Sequence, residues 1–156
     1  MRRGVRRAGA LPGLVVAALA GCGDDGSGPD PAGCEVDTSS VEASVSVEGG
    51  SVVFDWTPGC GAAVVHVEGE EESVQWLLIT DGSTWDDPGA ANLIRPPLTY
   101  GVPPSGIPVG HEAEALVPGT AYTLEVWRII PIFTQNPSCI EQQGQVCLVA
   151  VEPFTR

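Results

Sequence analysis

Lysine is absent from this chain of 156 residues, and histidine occurs only at His66 and His111. Without an ε-amino group there is no Schiff-base chemistry and no Ser–Lys nucleophile pair. The glycine signatures of nucleotide sites are missing, as is the Gly-x-Ser-x-Gly elbow of serine hydrolases. All seven cationic side chains are arginines, against 20 Asp and Glu, for a formal net charge of −13. Phosphate binding needs a cationic face, so nucleic acid and anionic lipid headgroups are excluded as partners. Long apolar runs are also lacking. The longest of note, Ala8–Ala20, rises about 20 Å as a helix, short of the ~30 Å hydrocarbon core.

What precedes and follows that run gives it meaning. Met1-Arg2-Arg3-Gly4-Val5-Arg6-Arg7 holds four of the seven arginines, and Leu19-Ala20-Gly21-Cys22 closes the run. A basic start, a short apolar middle and small residues at the end read as a secretory signal. Leu19–Cys22 resembles the lipobox of bacterial lipoproteins. The resemblance implies removal of residues 1–21 and acylation of Cys22 as the new first residue. It makes the lipid bilayer a partner and the bacterial cell envelope the location. Two or more acyl chains hold stably where one holds marginally. The plainer alternative is an ordinary secretory cut with Cys22 incidental. Arg2-Arg3 and Arg6-Arg7 also resemble a twin-arginine signal, without the Phe-Leu that follows the pair there.

Three segments follow: a signal peptide over 1–21, a lipidated tether over 22–33 and one domain over 34–156. Gly23–Gly33 is Gly, Asp, Pro, Ser and Ala only, and cannot bury a core. As a flexible chain its ends lie about 18 Å apart. Loss of the leader leaves Arg95, Arg128 and Arg156 against all 20 acidic residues, a formal charge of −17.

The domain lacks helical periodicity. Val41–Val47, Ser51–Trp56, Ala63–Val67 and Val74–Ile79 alternate apolar and polar residues between Gly and Pro breaks. Residues 80–110 are Pro-rich, with one extended stretch at Leu98–Val102. Prolines place that stretch at an edge or in a covering loop. Regularity returns over His111–Leu116, Ala121–Ile130 and Val146–Phe154. This pattern predicts an all-β antiparallel sandwich of about seven strands.

Leu116-Val117-Pro118-Gly119-Thr120-Ala121-Tyr122 resembles the segment that leads into strand F of fibronectin type III domains. Phe54-Asp55-Trp56-Thr57-Pro58 resembles the end of their strand B. The resemblance covers about residues 41–155 and implies a fibronectin type III or immunoglobulin-like sandwich. Trp56 would pack between the sheets, and Tyr122 would form a tyrosine corner with upstream backbone. The long Pro-rich segment and the cysteines depart from that family.

With Cys22 assigned to the anchor, Cys34, Cys60, Cys139 and Cys147 remain, an even set in an exported chain. Three pairings are open, and the sandwich favours the local ones, Cys34–Cys60 and Cys139–Cys147. Zinc sites usually space cysteines more closely, so no metal site is expected from them. No cofactor is expected either.

His66 lies between Val65 and Val67 and is expected to face away from them. His111 is expected at the surface. Glu70-Glu71-Glu72 reads as a solvated turn. Asp24-Asp25 and Asp86-Asp87 offer oxygens without a recognisable calcium loop. Trp127 is expected to point outward from its strand and Trp85 lies on a polar loop. Together with Trp76, whose facing the sequence leaves open, these are the candidate ligand-binding residues, unless the Ile94–Val102 segment covers Trp76 and Trp127.

Three functions fit. The first is a non-enzymatic, membrane-anchored module with a structural or protein-interaction role, its partner an envelope protein. The second is a carbohydrate-binding module that meets a glycan through exposed Trp. The third is a small hydrolase built around His66 or His111.

Overall fold

A computed structural model describes Cys34 and residues 41–130, 139–142 and 144–156. The expected leader, the expected acylation at Cys22 and the expected tether over 22–33 lie outside the described residues. Alternation dictates the first hairpin, β1 (Glu42–Glu48) and β2 (Ser51–Thr57). Val52, Phe54 and Trp56 are buried while Ser51, Asp55 and Thr57 are exposed. Gly49 and Gly50 join the strands with φ of 57° and 92°, the positive values a two-residue hairpin demands.

The chain continues through β3 (Val64–Glu68), β4 (Val74–Ile79) and a short helix α1 (Pro88–Ala91). Then come β5 (Leu98–Thr99), β6 (Val109–His111), β7 (Ala121–Ile130), β8 (Cys139–Gln142) and β9 (Gly144–Thr155). One sheet has the order β1-β2-β5 and the other β6-β4-β3-β7-β9-β8. Each pairing is antiparallel. Val52, Phe54 and Trp56 from the smaller sheet meet Val65, Val67, Trp76, Leu78, Leu124 and Val126 from the larger in one core. This is the all-β antiparallel sandwich the alternation predicts.

The Pro-rich segment divides between the sheets. β5 pairs with the middle of β2, and β6 adds an edge beside β4. The regular stretch expected at His111–Leu116 is therefore shifted: β6 ends at His111. Beyond it the chain touches β4 again where Glu114 N–H donates to the Gln75 carbonyl at 2.9 Å. Among the described residues no helix is long and apolar enough to cross a membrane.

Trp56 and Tyr122 are core residues. The Trp56 indole N–H donates to the Cys60 carbonyl at 2.7 Å. The Val117 N–H donates to the Tyr122 hydroxyl at 2.8 Å, so the tyrosine reaches backbone five residues upstream. Both local disulfides form, Cys34–Cys60 and Cys139–Cys147. The second joins directly paired positions of β8 and β9.

Trp76 must be removed from the ligand-binding candidates. It is 1 % exposed. The period of β4 turns Trp76 and Leu78 inward together, and the rings of Phe54 and Tyr100 lie 6.4 and 5.3 Å from it. Tyr100 belongs to the segment expected to provide that cover.

Candidate functional site

The outer face of the larger sheet gathers the polar chemistry. In β3, Val65 and Val67 are committed to the core, so Val64, His66 and Glu68 turn outward. In β7, inward Leu124 and Val126 send Thr123, Glu125 and Trp127 to the same side. The register places Glu125 opposite His66, and Trp127 opposite Val64.

A wall over one end of this patch comes from the segment after β4. Asp81 Oδ1 accepts from the Ser83 N–H at 2.9 Å and starts a 3-10 turn over Gly82–Thr84. Hydrogen bonds from Ser83 hold the Asp81 carboxyl below the usual carboxylate range. Trp85 follows, its indole N–H 3.3 Å from Thr80 Oγ1. Asp87 caps α1 by accepting from the Gly89 N–H at 2.9 Å. Its carboxyl is thus explained by helix capping. Ala91 then packs with Ala63, Ile129 and Val146, and Trp85 and Trp127 rest against that cluster.

The result is a groove of about 300 Å³. Trp85, Trp127, Val64 and Val146 give it apolar walls, and His66, Glu68 and Glu125 give it a polar end. His66 Nδ1 is 3.3 Å from Glu68 Oε1 and 3.5 Å from Glu125 Oε2. The Trp127 indole N–H donates to Glu125 Oε2 at 3.0 Å. These side chains are half-buried, and His66 Nε2 is buried without a hydrogen-bond partner among the described residues. The three donor atoms, one imidazole nitrogen and two carboxylate oxygens, are the described residues that can hold a metal ion.

Of the tryptophans singled out in the sequence, Trp85 and Trp127 converge here, and the Ile94–Val102 segment does not line the groove. His66 faces outward as expected. His111 stands apart: Leu77 pairs with His66 on one side and with His111 on the other. His111 Nε2 instead meets Glu114 Oε1 at 3.2 Å in the open. The sequence shows the His66-x-Glu68 spacing but gives no sign that Glu125 joins it. Glu70–Glu72 forms an exposed 3-10 turn.

A second hollow is lined by Tyr100 together with Gly50, Glu114 and Arg156. The Tyr100 hydroxyl is 2.8 Å from the Glu114 carbonyl and 3.0 Å from that of Gln75. Burial pushes this phenol up to about 12. No family model, curated protein or solved structure matches the chain.

Proposed function

We propose that this chain is an exported bacterial lipoprotein, held to the envelope by acylated Cys22, whose sandwich is a non-catalytic binding module. The leader and the Leu19–Cys22 motif support the anchor. The Val117–Tyr122 hydrogen bond and the buried Trp56 support the fibronectin type III-like assignment. The single observation that carries binding is the convergence of Trp85 and Trp127 with Glu68 and Glu125 on one groove.

That lining favours a carbohydrate over a protein partner. Indole faces accept the apolar C–H face of a sugar ring, and carboxylates accept its hydroxyl protons. A groove of about 300 Å³ is at the small end of ligand sites and holds one or two sugar units. Protein interfaces, by contrast, are depleted in Glu at their centres. The hydrolase reading draws little support. Among the described lining residues there is no Ser, Thr or Cys, and both carboxylates touch the same imidazole nitrogen.

Two measurements test this. Full-length protein in detergent, applied to a glycan array, should be retained by a subset of glycans, and Trp127→Ala should weaken retention at least tenfold. Uniform absence of retention defeats the glycan reading. Labelled palmitate should be incorporated into the wild-type chain and not into Cys22→Ala, which should leave the membrane fraction. Equal membrane association of both defeats the anchor.

A further inference from the structure

Two carboxylates packed around one ring nitrogen need a reason. Nδ1 of His66 and one oxygen each of Glu68 and Glu125 lie within 4.8 Å of one another. The separations from Nδ1 are 3.3 and 3.5 Å. Charge-assisted N–H···O⁻ bonds are shorter, roughly 2.7–2.9 Å. One ring proton also cannot point at both oxygens. Donors each about 2.0–2.1 Å from a shared tetrahedral ion lie about 3.4 Å apart. Both separations from the imidazole nitrogen match that ligand spacing, and the third, between the two carboxylate oxygens, is within 4.8 Å.

We propose that His66, Glu68 and Glu125 bind one divalent cation of the zinc class, with the fourth coordination position open to the groove. The frame is built for it. His66 and Glu68 share a face of β3 at a spacing of two, and Glu125 is fixed opposite His66 by the β3–β7 register. Half-buried like charges repel, and a dication between them turns that repulsion into attraction. An imidazole with two carboxylates suits zinc and its neighbours cobalt and nickel, whereas calcium and magnesium prefer oxygen-only sets with more ligands. The Trp127 indole N–H donates at 3.0 Å to the same Glu125 Oε2 that faces His66 and fixes that oxygen in place. Among the described residues the other ring nitrogen of His66 lacks the acceptor that usually orients a metal-bound imidazole. Affinity is therefore expected 10–100-fold below that of a fully supported site.

The test uses full-length protein in detergent, stripped with a chelator and titrated calorimetrically with zinc, calcium or magnesium chloride. One saturable zinc equivalent is expected, with calcium and magnesium bound at least tenfold more weakly. His66→Gln and Glu125→Gln should each lower zinc affinity at least tenfold. Glu70→Gln/Glu71→Gln/Glu72→Gln, which removes the exposed acidic turn, should not change it. Cobalt added to the unaltered protein should give the intense visible bands of four-coordination, a readout that does not depend on any variant folding. Several weak equivalents shared by all three metals and unaffected by His66→Gln would show a counterion cloud and overturn the proposal. So would a pale six-coordinate cobalt spectrum. None of these outcomes depends on whether the groove takes a glycan.

Discussion

Asn92 pairs with Ile129 as one strand residue pairs with another. Its amide N–H donates to the Ile129 carbonyl at 2.8 Å, and its Oδ1 accepts from the Ile129 N–H at 2.9 Å. β3 stops at Val64, opposite Trp127, and Ala63 N–H adds a bond to the Trp127 carbonyl at 2.9 Å. Asn92, 3 % exposed, carries the ladder one step further with a side chain. It thereby ties the segment bearing Trp85 to the strand bearing Trp127. Asn92→Ala leaves two backbone groups without partners, each costing about 1–3 kcal/mol. A loss of about 2–4 kcal/mol is expected in urea unfolding. An unchanged midpoint would show that the amide pair is not a clamp.

Tyr122→Phe keeps the ring against Phe154, 5.6 Å away, and removes only the acceptor for the Val117 N–H. The neighbourhood is partly exposed, so water replaces part of what is lost. The expected cost is about 1 kcal/mol, read as a fall of roughly 3–5 °C in Tm. A Tm equal to that of the wild type would remove the corner from the list of stabilising contacts.

Tyr100 gives the fold an alkaline limit. Burial raises its pKa from 10.0 to about 12 in the folded chain. The folded state therefore keeps the proton after the unfolded state has lost it. Below pH 10 the two states bind it equally and stability does not depend on it. Between pH 10 and 12 the unfolded state binds fewer protons, so stability falls as pH rises. Urea melts across that window should show the decline in wild type and a shallower one in Tyr100→Phe. Phenolate absorbance should show one of the two tyrosines ionising near 12. Identical pH profiles for the two proteins would count against this assignment.

Much of the scaffold was legible because it follows from alternation. Val52, Phe54 and Trp56 announce β2, and Tyr122, Leu124 and Val126 announce β7, without reference to the rest of the chain. The even cysteine count and its local spacing pointed to the two pairs found. The site was legible only in part. Trp127 follows from its strand's period, but His66 and Glu125 meet because β3 and β7 are neighbours, an ordering no local pattern encodes. Trp76 was ambiguous because β4 reads Val-Gln-Trp-Leu-Leu-Ile, in which either face is apolar. Trp85 depends on turns, on caps by Asp81 and Asp87, and on one buried amide. None of these leaves a periodic trace.

The groove has one wall on the long strand β7 and the other on the segment that the Asn92 side chain ties to it. Those two halves need not fail together. Opening residues 80–92 leaves Ile94 and the rest of the main core in place, so it costs less than global unfolding. Under mild denaturant the groove should dissolve while both sheets stand. The protein would then keep its sandwich and lose its groove, and amide exchange at Asn92 and Trp85 would outpace exchange in β3 and β7.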